Sequence, residues 1–312
     1  MFAPLIEKYG ALVLDGPMAT ELERRGVSLN DALWSARVLI DQPALIRDVH
    51  LHWFRAGADV AITASYQASI EGFCNFGMTP AQAEALIVLS AQCAHEARTM
   101  WLEEVKQPSG RPMPLIAGSI GSYGAFLADG SEYRGDFSAD EAALATFHQP
   151  RMRVLAPHVD FFAMETLPCF REARALVALM DGFPNKSCWV CFSAADESRI
   201  SSGEAMGPIA AWLDQQPCVA AVGINCSQPR FIGPLIREIR SQCSKPIVVY
   251  PNSGEVYHAP TGDWHGQDSG FARKQVLDEW YAAGMRLVGG CCRTSIKDVK
   301  NMASWRKQLK RS

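Results

Sequence analysis

What most constrains the fold of this chain is an alternation. Eight short apolar runs, at residues 11–15, 60–64, 115–118, 161–165, 188–192, 220–225, 246–250 and 286–289, are separated by longer stretches with helical character. Strands alternating with helices build a parallel sheet, because the helix supplies the crossover that returns the chain to the same edge. Eight such strands close a sheet on itself, so the expected architecture is of the α/β class, a single (βα)8 barrel of the TIM type. No linker composition divides the 312 residues, and the expected organisation is one domain over 1–312.

The intervening helices carry their own signals. Residues 80–106 follow the capping residue Thr79 and, after Pro80, contain neither glycine nor proline. Residues 138–156 open on Ser138 with Glu141 three positions on, the pattern of a capping box, and Pro150 is expected to kink that helix or start a new segment. Further helices are expected from Pro43 and from Ile296, and Gly57 and Gly284 are placed to end helices ahead of strands.

The residues after each strand carry the chemistry. The exits include Asp15-Gly16, Ser65-Tyr66-Gln67, Ser119, Glu165-Thr166, Cys226-Ser227, Asn252-Ser253 and Gly290-Cys291-Cys292. Small, polar and thiol side chains thus gather at the carboxyl ends of strands, where barrel enzymes place their sites. Cys226 leaves the sixth strand and the Cys291-Cys292 pair the eighth, so the three can converge on one soft metal ion. Three thiolates are one short of the four in a closed structural zinc site, which leaves a position open to a substrate.

The chain has ten cysteines and no leader pattern at its start, so they are expected to be reduced thiols in a cytoplasmic protein. Cys188 and Cys191 have C-x-x-C spacing but lie in a strand, where an odd separation sends their side chains to opposite faces; ordinary packing is expected of them. A net charge of −3, with basic residues clustered only in the short tail Arg306 to Arg311, argues against nucleic acid or anionic membrane as partners. No apolar stretch approaches the roughly 20 residues of a membrane span. The seven histidines are scattered and are expected to be surface or satisfied residues. Nothing in the sequence fixes an oligomeric state.

Five segments together resemble the homocysteine S-methyltransferase family: Leu14-Asp15-Gly16, Glu165-Thr166-Leu167, Gly223-Ile224-Asn225-Cys226, Tyr250 to Glu255, and Gly289 to Thr294. The resemblance runs in order along almost the whole chain. Met18 to Glu23 and Ser131-Glu132-Tyr133-Arg134-Gly135 are most similar to the branch that uses S-methylmethionine.

The resemblance implies a zinc-containing barrel that methylates the sulfur of homocysteine to give methionine. By position, Cys226, Cys291 and Cys292 match the zinc ligands, Glu165 the carboxylate that receives the substrate ammonium, and Asp15-Gly16 the segment beside bound homocysteine. Pro17 stands where relatives commonly have glycine or alanine, and it removes a backbone N–H. Ser65, Asn225 and Asn252, also at strand exits, are further candidates for contact with substrate.

A free thiol titrates near 8.5, so only a few per cent of it is nucleophilic thiolate at neutral pH; Zn²⁺ on three cysteines would take up the substrate thiol and release its proton. The resulting negative charge would attract a methyl-sulfonium donor, S-methylmethionine or S-adenosylmethionine, with Trp34, Tyr66 or Tyr123 as its aromatic face. Rival readings are a selenocysteine acceptor, a betaine donor, or a zinc- and thiol-binding protein without turnover. Residues 122–137, rich in glycine, tyrosine and charge, are expected to form a mobile lid.

Overall fold

A computed structural model describes residues 1–28, 35–106, 110–258 and 263–309. Eight strands occupy the expected places: β1 (Leu12–Val13), β2 (Val60–Ile62), β3 (Leu115–Gly121), β4 (Phe161–Leu167), β5 (Cys188–Phe192), β6 (Val219–Asn225), β7 (Ile247–Tyr250) and β8 (Met285–Val288). They form one parallel sheet in which β1 lies beside β8 and the rest follow in sequence order back to β2. The two edges meet through a parallel bridge from Leu14 to Val60, with the Asp15 amide donating to the Val60 carbonyl at 3.0 Å, and the sheet closes into a barrel. An antiparallel hairpin of Val256–His258 with Asp263–His265, which periodicity does not announce, follows β7.

The apolar runs are continuous because both faces of each strand are covered. Leu12, Phe161, Ala163, Trp189, Cys191, Val248 and Leu287 face the barrel interior, and their neighbours Val13, Phe162, Met164, Cys188, Val190, Val249 and Val288 pack under the helices. Cys188 and Cys191 therefore do point to opposite faces. Phe2 plugs the amino-terminal end, edge-on to Phe161 at 5.1 Å, while Trp189 packs against Phe161 at 5.0 Å and Tyr250 at 5.9 Å. Below the barrel, Asp59 accepts from the Val13 amide at 2.9 Å and pairs with Arg306 and Arg111, which ties the last helix (Ile296–Leu309) to the first strand.

Two strands run further than the apolar signal. The β3 and β4 ladders continue through Ser119↔Ala163 to Gly121↔Glu165, so Ser119 and Glu165 belong to the sheet itself and inherit its alternation. In β4, Phe161 and Ala163 point inward, and the same period carries Glu165 inward at the carboxyl end. The helix expected at 138–156 runs from Glu141 to Leu155. It is capped by the Asp140 side chain, which accepts from the Ala143 amide at 2.8 Å, so Ser138 is not the cap. Pro150 sits within that helix without ending it. The caps at Thr79 and Gly57 form as expected. Among the described residues no helix is long and apolar enough to cross a membrane.

Candidate active site

Cys226 leaves β6 with its amide donating to the Tyr250 carbonyl at 3.1 Å and its backbone in the left-handed region at φ 48°. Beyond β8, the Cys291 amide donates to Pro251 O at 2.7 Å and the Ser253 amide to Cys292 O at 3.0 Å, so the thiol pair is clamped onto the loop after β7. The three sulfurs lie within 4.8 Å of one another, and Cys226 Sγ is 3.6 Å from Cys292 Sγ. Tetrahedral zinc with bonds of about 2.3 Å separates its sulfurs by about 3.8 Å, so this donor set fits such an ion.

The electrostatics point the same way. The Cys226 thiol is held well below its ordinary range because Cys291 and Cys292 hydrogen-bond to it, with the Tyr133 hydroxyl 3.1 Å from its sulfur. Sharing with Cys226 pushes Cys291 and Cys292 up. The cluster thus sheds one proton readily and holds the others, the state that a dication would complete.

Glu165 is 6 % exposed; Ser119 Oγ donates to its Oε1, and the Tyr250 hydroxyl donates to its Oε2 at 2.8 Å. Burial pushes its carboxyl up to about 7 despite both hydrogen bonds. Asp15 accepts from the Ile62 amide at 2.8 Å and is likewise raised by burial, with the Glu165 charge adding to the effect. His50 lies with Nδ1 4.0 Å from Asp15, is wholly buried and is pushed down to about 4, so the ring is neutral. Neither of its ring nitrogens has a hydrogen-bond partner among the described residues, so it is not the surface or satisfied histidine expected from the sequence.

The burial of Glu165 ties the stability of the fold to pH. Its carboxyl titrates near the ordinary 4.5 in the unfolded chain and at about 7 when folded, so between these values the folded protein keeps a proton that the unfolded chain has lost. The stability present below 4.5 therefore falls as pH rises through 7. In metal-free, ligand-free protein, Glu165→Gln is expected to remove roughly 3 kcal/mol of that loss, read from urea unfolding across the interval. Equal slopes in variant and parent would mean that Glu165 ionises as an exposed carboxylate does.

A cavity of about 160 Å³ opens above the thiols, lined among others by Asp15, Gly16, Glu165, Asn225, Cys226, Cys291 and Cys292. Tyr66 lines it as well. Asn225 uses its amide on the scaffold: Oδ1 accepts from the Thr166 amide and Nδ2 donates to Thr166 Oγ1, both at 2.7 Å, which fixes Thr166 at φ 57°. Ser65 and Asn252 are not brought to the cavity. Ser65 is fully buried, its hydroxyl donating to Ser119 O at 2.8 Å and paired with Thr63 Oγ1 at 2.7 Å. Asn252 lies in the loop after β7, its backbone N–H donating to Ser227 O at 3.0 Å. Tyr123 packs among Phe126, Phe137 and Phe147 instead of facing the cavity, and Trp34 lies outside the described residues.

Sequence reasoning assigns no role to Glu132, Tyr133 or Tyr250, all of which line the cavity. Tyr250 was accessible from the strand period, since Val248 faces inward. Glu132 and Tyr133 sit in a short helical turn, Ser131–Tyr133, within the segment expected to act as a lid. A buried network positions the rim nearby: Arg151 donates to Gly121 O at 2.7 Å, Tyr66 O at 3.2 Å and His148 Nδ1 at 2.7 Å. A guanidinium only donates, so His148 accepts at Nδ1 and gives its Nε2 proton to Glu172, 2.8 Å away.

Residues 12–305 match the family described as homocysteine S-methyltransferase. The chain is 47% identical over 307 residues to homocysteine S-methyltransferase YbgG of Bacillus subtilis (strain 168), covering 98% of each protein. It is 40% identical over 325 residues to selenocysteine methyltransferase of Astragalus bisulcatus, covering 97% of this chain and 96% of that one. The metallated form of the homocysteine methyltransferase MmuM from Escherichia coli superposes with a TM-score of 0.87 at 42% identity, covering 97% of this chain and 99% of that structure.

Proposed function

We propose, from the premise that this chain belongs to the homocysteine S-methyltransferase family, that it transfers a methyl group from a sulfonium donor, S-methylmethionine, to homocysteine, with zinc on Cys226, Cys291 and Cys292. One observation carries the donor and metal assignments: a three-thiol cluster opens into a cavity whose lining, among the described residues, includes three carboxylates, Asp15, Glu132 and Glu165, and no lysine, arginine or histidine. Such a cavity favours cations.

Zinc, when bound, supplies acidification of the substrate thiol. The protein's own groups do the rest. Glu165, braced by Ser119 and Tyr250, receives the homocysteine ammonium, whose charge supplies the counter-ion that burial denies the carboxylate. Asp15 and the adjoining Gly16 backbone lie beside the same substrate. The Tyr133 hydroxyl donates to Cys226 sulfur and holds it in place. Tyr66 offers a ring face to the sulfonium. Pro17, Met18 and Ala19 form an apolar wall that limits water. The donor leaves as a neutral thioether, so no residue is required as a general acid, and alignment of the two substrates is the main further contribution to rate.

The similarity to the Astragalus bisulcatus protein supports a second reading, with a selenol as acceptor. One assay separates the readings. Purified, zinc-loaded protein receives homocysteine or selenocysteine with S-methylmethionine, S-adenosylmethionine or betaine in parallel. Methionine formed with S-methylmethionine, and lost on chelation, is expected. Faster turnover of selenocysteine would shift the acceptor, and betaine turnover would overturn the donor.

A further inference from the structure

We propose that the Glu132 carboxylate receives the α-ammonium group of the methyl donor and so selects amino-acid sulfoniums over sulfoniums that lack an amino group. The inference rests on the sulfonium-donor reading above and extends it to a residue that reading leaves without a role.

Glu132 is held firmly by its backbone. Ser193 Oγ donates to its carbonyl at 2.8 Å, and the turn packs so closely on Gly124 that a Cβ there would lie 2.4 Å from the Glu132 amide nitrogen. Glu132 lines the same cavity as the three thiols, and its neighbour Tyr133 brings a hydroxyl to 3.1 Å from the Cys226 sulfur. Its Oε2 is buried and has no hydrogen-bond partner among the described residues. The neighbouring Arg134 pairs with Asp136 at 2.9 Å and Asp129 at 3.8 Å, and its opposing pull on the Glu132 carboxyl is smaller than the effect of burial. Burial accordingly pushes the Glu132 carboxyl up to about 7, with the Cys226 charge adding to the rise.

A buried carboxylate oxygen without a donor is costly unless a ligand completes it. The ligand group is expected to be cationic, because the ionisable groups of the described lining are carboxyls, thiols and phenols that can carry only negative charge, and it must carry an N–H, because the oxygen lacks a hydrogen bond. A sulfonium supplies the charge but no N–H; an ammonium supplies both. Two amino-acid substrates bring two ammonium groups. Glu165 with Asp15 accounts for that of the acceptor, and among the described residues Glu132 is the remaining carboxylate of the lining.

The test compares parent and Glu132→Gln protein, both zinc-loaded, with S-methylmethionine and with its desamino analogue as donors. For S-methylmethionine the variant is expected to raise KM about tenfold or more, with a matching loss in calorimetric affinity, while the homocysteine KM moves less than about twofold. With the desamino analogue the parent is already impaired and the variant adds nothing. An unchanged S-methylmethionine KM, an equal rise for homocysteine, or an equal penalty on both donors overturns the assignment. If the variant does not fold, the parent decides alone, and equal KM values for the two donors overturn it. A parent inert with both donors defeats the sulfonium reading itself; an active parent whose variant is unaffected defeats only the role of Glu132.

Discussion

Alanine in place of Cys226, Cys291 or Cys292, one at a time, is expected to strip the protein of its metal and to lower turnover by roughly a thousandfold. The sulfurs lie within 4.8 Å of one another, so each substitution leaves two thiolates where the site needs three. With a thiol pKa near 8.5, loss of metal acidification alone leaves only a few per cent of the substrate as thiolate, a factor of about 30. Loss of the fixed position of that sulfur accounts for the remainder, since orientation of reacting groups contributes at least as much. Atomic emission on the dialysed proteins measures the metal, and the methyl-transfer assay measures the turnover. The control is Cys188→Ala, which removes a fully buried thiol on the outer face of β5 and should cost stability without costing metal. If any one of the three rim variants retained a full equivalent of metal and normal turnover, the assignment of that cysteine would be lost.

The second large effect lies in the scaffold. Gly223→Ala should destabilise the fold by about 3 kcal/mol or more, because a Cβ at this position would stand 1.7 Å from the Val248 carbonyl oxygen on β7. The obstacle is backbone, which no rotamer change relieves, and Gly223 is paired with Val248 in the ladder. Forcing β6 from β7 would also shift Cys226, three residues on, whose amide is anchored to Tyr250 O. Chemical denaturation measures the loss, and metal content should fall with it. A midpoint within about 0.5 kcal/mol of the parent would show that the two strands part more easily than their packing implies.

Gly223 shows how far a motif can be read. Its place in Gly223-Ile224-Asn225-Cys226 marks the segment, and the motif's two polar ends have different tasks. Cys226 faces its partner thiols, whereas Asn225 spends its amide holding Thr166. They stand at the last position of the same strand and the first beyond it, and sequence gives them equal claim to the substrate. Ser65 and Asn252 fail to reach the cavity for a similar reason: a position after a strand says which end of the barrel a residue occupies, not which way its side chain turns.

The sequence alone determined the eight-strand alternation, the class of fold and the convergence of strands six and eight on one rim, because runs, periods and spacings are local properties of the chain. Tertiary structure decided the rest. Glu165 is braced by Ser119 and Tyr250, 46 and 85 positions away, and Cys226 meets Tyr133 across 93. Such pairs exist only when the closed barrel brings distant exits together, and their energetics arise there too. Burial raises Glu165 and Glu132, and a shared proton lowers Cys226, because a few buried groups must satisfy one another where water cannot.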